Sequence, residues 1–155
     1  MSSPPHLQLG NQLCLALYSA TNALTRAYRP LLVPLDLTYP QYLVMLALWE
    51  QDGVSVSDIC ARTRLDTGTV TPLLKRLAAK GLLERGRSDS DERRRVITLT
   101  AAGQSLRQAA DEIPYRMACL GVLTPNQGEK LKQLAETLYR NLAALEQDAR
   151  NGPRP

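Results

Sequence analysis

A chain of 155 residues, 44% hydrophobic and 22% charged, is long enough for one well-cored domain and has an ordinary soluble composition. Its apolar residues never approach the roughly 20 in a row that cross a bilayer, and the opening MSSPPHLQ lacks the basic start and apolar stretch of a signal peptide; the expectation is a cytoplasmic protein with no membrane span. Cys14, Cys60 and Cys119 are widely spaced with no CxxC pair, and the one histidine, His6, lies in a Pro-rich tail expected to be loose, which argues against a bound metal or cofactor and against a hydrolase or transferase that needs a histidine base.

From Leu7 to Ala27, Leu13, Cys14, Leu17, Leu24 and their neighbours recur at helical spacing, predicting a first helix that ends near Tyr28, Arg29 and Pro30. Pro30 and Pro34 punctuate a connection. Thr38 then reads as an N-cap, with Pro40 in the first turn of a second helix that runs to about Glu50, and Gly53 closes that unit. Val56 to Arg62 and Thr67 to Lys80 carry apolar residues at helical spacing with a short turn between them. Pro72 removes a backbone donor inside the second of these, so that helix is expected either to begin later or to have a distorted first turn. Two strand-compatible runs, Leu82 to Arg87 and Arg95 to Leu99, flank Ser88, Asp89, Ser90 and Asp91 and predict a hairpin. Ala101 to about Leu120, containing Pro114, forms the next helical run. Thr124 and Pro125 open a last helix whose stripe of Leu131, Leu134, Ala135, Leu138, Leu142 and Leu145 reaches about Asp148, before a loose NGPRP tail.

Helix, turn, helix, hairpin is the order of a winged helix-turn-helix, and the charge follows it. Residues 62–95 hold ten Lys/Arg against five Asp/Glu, whereas the rest of the chain holds nine against ten, so the net +4 comes from this window. That is the footprint of a phosphate-binding surface and predicts double-stranded DNA as partner. The long flanking helices cannot bury their stripes on so small a core. A homodimer would bury them and present two recognition helices to a pseudo-palindromic operator. The expected architecture is a single domain over 1–155, mainly α with a small β wing: a DNA-binding region over about 38–100, and dimerisation helices over about 7–37 and 101–150.

The stretch DERRRVITLTAAG (91–103) resembles the wing signature of the MarR family of winged helix-turn-helix repressors. LCLALYSATNALTRAYRPLL (13–32), LTYPQYLVMLALWE (37–50) and TGTVTPLLKRLAAKGLLER (67–85) are similar to its organic hydroperoxide sensing members, the OhrR subgroup, whose pattern includes Pro72. The resemblance implies a redox-sensing transcriptional repressor, not an enzyme. It places Asp66, Thr67, Thr69 and Lys75 of the recognition helix on the major groove, and Arg93, oriented by Asp91, in the minor groove, where an arginine reads electrostatic potential rather than base identity. Lys75, Arg76 and Arg85 are equally compatible with phosphate contacts and with solvated charges.

Read from the residues alone, Cys14 is a small hydrophobe on an apolar stripe. The resemblance instead makes it the peroxide-reactive thiol, held by the phenols of Tyr28 and Tyr39 from across the dimer with Tyr18 nearby. A neutral phenol donates a hydrogen bond to a thiolate and favours it. Acidifying a thiol also lowers its nucleophilicity, so that route alone yields about a twofold rate gain and the pocket must also orient the peroxide. Cys119 matches the resolving position of the two-cysteine branch, which implies an intersubunit disulfide with Cys14. Cys60 reads as core. Two other readings stand beside this one: a MarR-type repressor controlled by a non-covalent aromatic or lipophilic ligand, and a thiol peroxidase, which would leave the basic wing without a purpose.

Overall fold

The structure, a computed structural model, describes residues 4–87 and 95–151, and the chain divides into two compact units, Met1–Met117 and Ala118–Pro155. The first unit opens on two 3-10 turns, Pro5–Leu7 and Leu9–Asn11. Asn11 Nδ2 donates to the Pro5 carbonyl (2.8 Å) and Gln12 Nε2 to the His6 carbonyl (2.9 Å). These local side-chain bonds compete with helix, so the segment expected to be partly loose and partly helical is folded otherwise, and helix α1 (Leu13–Leu32) starts six residues later than the periodicity suggests. At its other end α1 runs through Pro30 instead of stopping before it. Pro30 lies in the last turn, where it costs one helical bond, while Leu32 beyond it is 1% exposed in the core.

A 3-10 turn, Val33–Leu35, leads to Asp36 in the left-handed region (φ 52°) and then to α2 (Tyr39–Glu50). The expected cap is present and reciprocal: Thr38 Oγ1 accepts from the Gln41 N–H (3.4 Å) and Gln41 Oε1 from the Thr38 N–H (3.0 Å). Helix α2 is apolar on every side and buries Tyr42, Val44, Met45, Leu48 and Trp49, which makes it the centre of the unit. The short strand β1 (Val54–Ser55) precedes α3 (Val56–Thr63) and α4 (Thr67–Ala79). Strands β2 (Leu83–Arg87) and β3 (Arg95–Leu99) form the expected antiparallel hairpin, and β1 joins β3 from the other side, Val54 opposite Ile97, giving the order β1-β3-β2. Two residues are too few to show alternation, which is why β1 is not legible in the sequence.

The run expected as one helix from 101 to about 120 is two, α5 (Ala101–Ala110) and α6 (Ile113–Ala118). Pro114 occupies the second position of α6, where its missing donor is one of the orphans of a helix start. The core joins α2 to Leu32, Ile59, Val70, Leu74, Leu77, Leu83 and Ile97.

The second unit carries α7 (Pro125–Asn151), opened by a reciprocal cap in which Thr124 N–H donates to Gln127 Oε1 (2.9 Å) and Gln127 N–H to Thr124 Oγ1 (3.3 Å). Its leucines 131, 134, 142 and 145 are all exposed. Among the described residues no single helix is long and apolar enough to cross a membrane.

Candidate functional site

Three residues separate α3 from α4. Arg64 ends α3 in the left-handed region (φ 59°), and Asp66 caps α4: its Oδ1 accepts from the Thr69 N–H (2.8 Å) and its Oδ2 from the Thr69 hydroxyl (2.7 Å). These bonds, led by the hydroxyl, hold the Asp66 carboxyl below the usual carboxylate range and set a negative charge at the positive end of the helix. Val70, Leu73, Leu74 and Leu77, spaced as one helical face, are buried, so Thr67, Thr69, Pro72, Lys75 and Arg76 lie on the exposed side. Helix α4 begins at Thr67 and continues through Pro72, so neither expected irregularity is needed. The carbonyl that loses its partner is that of Gly68, an exposed residue in the first turn, where water can replace the bond. Cys60 is half-buried against the core, with Sγ 3.7 Å from Thr67 Oγ1, beneath the first turn of α4.

The wing is anchored by contacts that the sequence analysis did not anticipate. Asp52 Oδ1 accepts from the Leu99 N–H at the end of β3 (2.8 Å) and from the Gly53 N–H (2.8 Å). Thr100 donates its hydroxyl proton to the Gly81 carbonyl (2.6 Å), and Trp49 Nε1 donates to the Gly103 carbonyl (2.9 Å). The bonds to Leu99, Gly81 and Gly103 join positions 19 to 54 residues apart, so no local pattern announces them. Asp91 and Arg93, at the expected wing tip, lie outside the described residues.

Within the basic window Arg62 pairs with Glu50, and Lys80 Nζ lies 3.0 Å from Asp36 Oδ2. Lys75, Arg76 and Arg85 are exposed cations suited to phosphate.

Cys14 stands in the first turn of α1 and is exposed in the single chain, with Tyr18, 70% exposed, one turn further along the same face. Tyr28 is near the other end of the helix, fourteen residues on, or about 21 Å at 1.5 Å per residue. There its ring meets Tyr39 (centroids 4.9 Å apart) and Tyr42 (6.0 Å), and Tyr42 in turn meets Trp49 (6.4 Å). Burial pushes all three phenols above their ordinary range, with mutual repulsion adding to it at Tyr39 and Tyr42, so they are neutral proton donors at physiological pH. Tyr42 is a member of this cluster that the sequence analysis missed; in the sequence it reads as one more apolar position of α2. Within one chain neither Tyr28 nor Tyr39 reaches Cys14. A cleft of about 380 Å³ beside Tyr39 is lined by Arg26, Arg29, Leu32, Val33 and Leu37 among others. Cys119 lies in the turn after α6, exposed and with a free thiol. No group of three or more His, Cys, Asp or Glu able to hold a metal ion occurs among the described residues.

The MarR family profile matches residues 35–94, the span from the turn before α2 into the wing. Over 142 residues the chain is 45% identical to the organic hydroperoxide resistance transcriptional regulator of Bacillus subtilis (strain 168), covering 92% of this chain and 95% of that protein. The chain belongs to the MarR family. AbfR of Staphylococcus epidermidis, another protein of this shape, is matched in more than one state. Reduced AbfR bound to DNA superposes with a TM-score of 0.74 at 33% identity, covering 92% of this chain and 98% of that one. Disulfide-formed AbfR superposes with a TM-score of 0.61 at 34% identity, covering 86% and 94%. This MarR-family chain is therefore a DNA-binding transcriptional regulator with a winged-helix reader, and the relatives it matches are regulators rather than enzymes.

Proposed function

We propose that the protein is a dimeric repressor switched by oxidation of Cys14. The thiolate attacks the outer oxygen of an organic hydroperoxide, the O–O bond breaks, Cys14 becomes a sulfenic acid, and the alcohol leaves with a proton donated by a phenol. Cys119 of the partner subunit then attacks that sulfur, releasing water and forming an intersubunit disulfide; a thiol reductant resets it. Shifting the terminal helices changes the spacing of the two recognition helices, and the operator is released.

The observation that carries this reading is the separation along α1. An exposed thiol at one end and a cluster of neutral phenols about 21 Å away at the other are useless to each other within a chain, but a two-fold axis crossing α1 sets each Cys14 against the partner's phenols. Tyr18, on the face of Cys14, completes the set from the same chain. On the operator, Thr67, Thr69 and Lys75 face the major groove, Arg76 takes a phosphate, and Arg93, oriented by Asp91, enters the minor groove; Asp66 acts first as the cap that aims Thr69. The likeness to a hydroperoxide resistance regulator and to a structure solved in disulfide form supports the chemistry.

The test is fluorescence anisotropy on DNA from upstream of the protein's own gene, before and after one equivalent of cumene hydroperoxide. Wild type is expected to lose the operator and to regain it with thiol, Cys14→Ser to hold it throughout, and Cys119→Ser to form no covalent dimer on a non-reducing gel. Binding that survives oxidation in the wild type would sink the thiol switch. The cleft beside Tyr39 would then favour a non-covalent aromatic or lipophilic effector.

A further inference from the structure

We infer that Lys80 couples the tyrosine cluster to the DNA reader, so that operator binding is felt at Tyr39 through this one side chain. The inference needs only that the chain binds DNA, and it stands whether or not Cys14 is the sensor.

Lys80 is the C-cap of the recognition helix. Its N–H closes the last turn on the Arg76 carbonyl (3.1 Å), Gly81 follows in the left-handed region (φ 71°), and Leu82 N–H donates back to the Leu77 carbonyl (3.1 Å) before β2 begins. Gly81 also receives the Thr100 hydroxyl from the far end of the wing. Recognition helix and wing thus meet at residues 80–82, and a displacement of either is a displacement of Lys80.

The ammonium reaches in the opposite direction. It donates to the Asp36 carbonyl, lies 3.0 Å from Asp36 Oδ2, and lies 3.5 Å from Gln41 Oε1. All three acceptors belong to the corner between α1 and α2, 39 to 44 residues away in sequence. Asp36 adopts left-handed backbone there, a conformation unusual outside glycine, and both its side chain and its carbonyl serve the lysine. Gln41 is 2% exposed, and its one amide oxygen is shared between Lys80 and the Thr38 N–H that begins α2. Tyr39 follows Thr38 directly, and its ring lies against Tyr28. Moving Lys80 therefore changes the partners of Gln41, loosens or tightens the Thr38 cap, and shifts the phenol one residue along. By linkage the coupling is reciprocal: an event at the phenols that displaces Tyr39 is felt at the reader through the same ammonium.

A phosphate contact is the competing role for a basic residue in this window, and salt dependence separates the two. A lysine on phosphate contributes roughly one unit to the slope of log affinity against log salt. Lys80, already neutralised by Asp36, is expected to contribute none.

The experiment uses the full-length protein with 3-fluorotyrosine placed at position 39, followed by fluorine NMR while operator duplex is added. In the otherwise native protein the resonance is expected to shift on saturation. Lys80→Met is expected to reduce that shift by at least half while leaving the salt slope unchanged, and Lys80→Arg, which keeps charge and donors, to restore it. If Lys80→Met fails to fold, Asp36→Asn decides, since it keeps the backbone carbonyl but removes the ion pair and should give an intermediate shift. No shift in the native sequence, an undiminished shift in Lys80→Met, or a salt slope lowered by about one in that variant would each overturn the inference. A merely structural lysine would lower the melting temperature and leave the shift intact.

Discussion

Gly103 shows how little freedom a single residue can have in this fold. A Cβ there would stand 2.0 Å from the backbone carbonyl oxygen of Leu82, and that carbonyl, held by the Thr100 N–H (3.1 Å), cannot move aside. Gly103→Ala is expected to cost about 2–3 kcal/mol, read from urea unfolding, as overpacking against an immovable neighbour does. Two sets of titratable groups make pH predictions of opposite sense. The phenols of Tyr28, Tyr39 and Tyr42 are raised in the fold, so the stability they contribute is complete below their unfolded value near 10 and is lost as pH climbs through their folded values. Tyr28→Phe should flatten the alkaline limb of a melting-temperature profile. Asp66 is lowered, so its contribution is present above the ordinary aspartate range and is lost as pH falls through the folded value. Asp66→Asn keeps a capping oxygen without the charge and should remove that acid dependence.

Elements in this protein are held in place by side chains that belong to other elements. Asp52, outside both wing strands, accepts the Leu99 N–H at the foot of β3, a charge-assisted bond worth roughly 1.5–3 kcal/mol in such settings. Asp52→Ala should therefore speed hydrogen exchange of the Leu99 amide about tenfold or more and weaken operator binding by letting the wing swing, with the recognition helix unaltered. Helix α4 makes the converse point. Thr67 to Lys80 was legible from apolar periodicity alone, because Val70, Leu73, Leu74 and Leu77 are spaced to face one side. Periodicity alone left Pro72 as an irregularity, which only the resemblance eased; in the structure the carbonyl it leaves unpaired is that of the exposed Gly68.

For the whole molecule the open question is what covers the leucines. Leu13, Leu17 and Leu24 on α1, and separately Leu131, Leu134, Leu142 and Leu145 on α7, are exposed in the single chain, and each set forms an apolar stripe along its own helix. A second copy is the expected cover. Leu134→Glu combined with Leu142→Glu should turn a dimer into a monomer in sedimentation velocity and lower operator affinity more than tenfold, since each half-site would then be bound alone.

By itself the sequence determined the helix-turn-helix, the wing and their charge, because these rest on periodicity, capping residues and turn chemistry that act over a few residues. Its resemblance to a known family also led to the expectation that Cys14, Tyr28 and Tyr39 act as a set. Only the tertiary structure decided that Tyr42 joins the phenols, that Asp52, Trp49 and Thr100 hold the wing, and that the Lys80 ammonium meets Asp36 and Gln41. The wing and Lys80 contacts bridge about 20 to 55 positions, and their partners are chosen by how α2, α4 and the sheet pack, which no local pattern encodes.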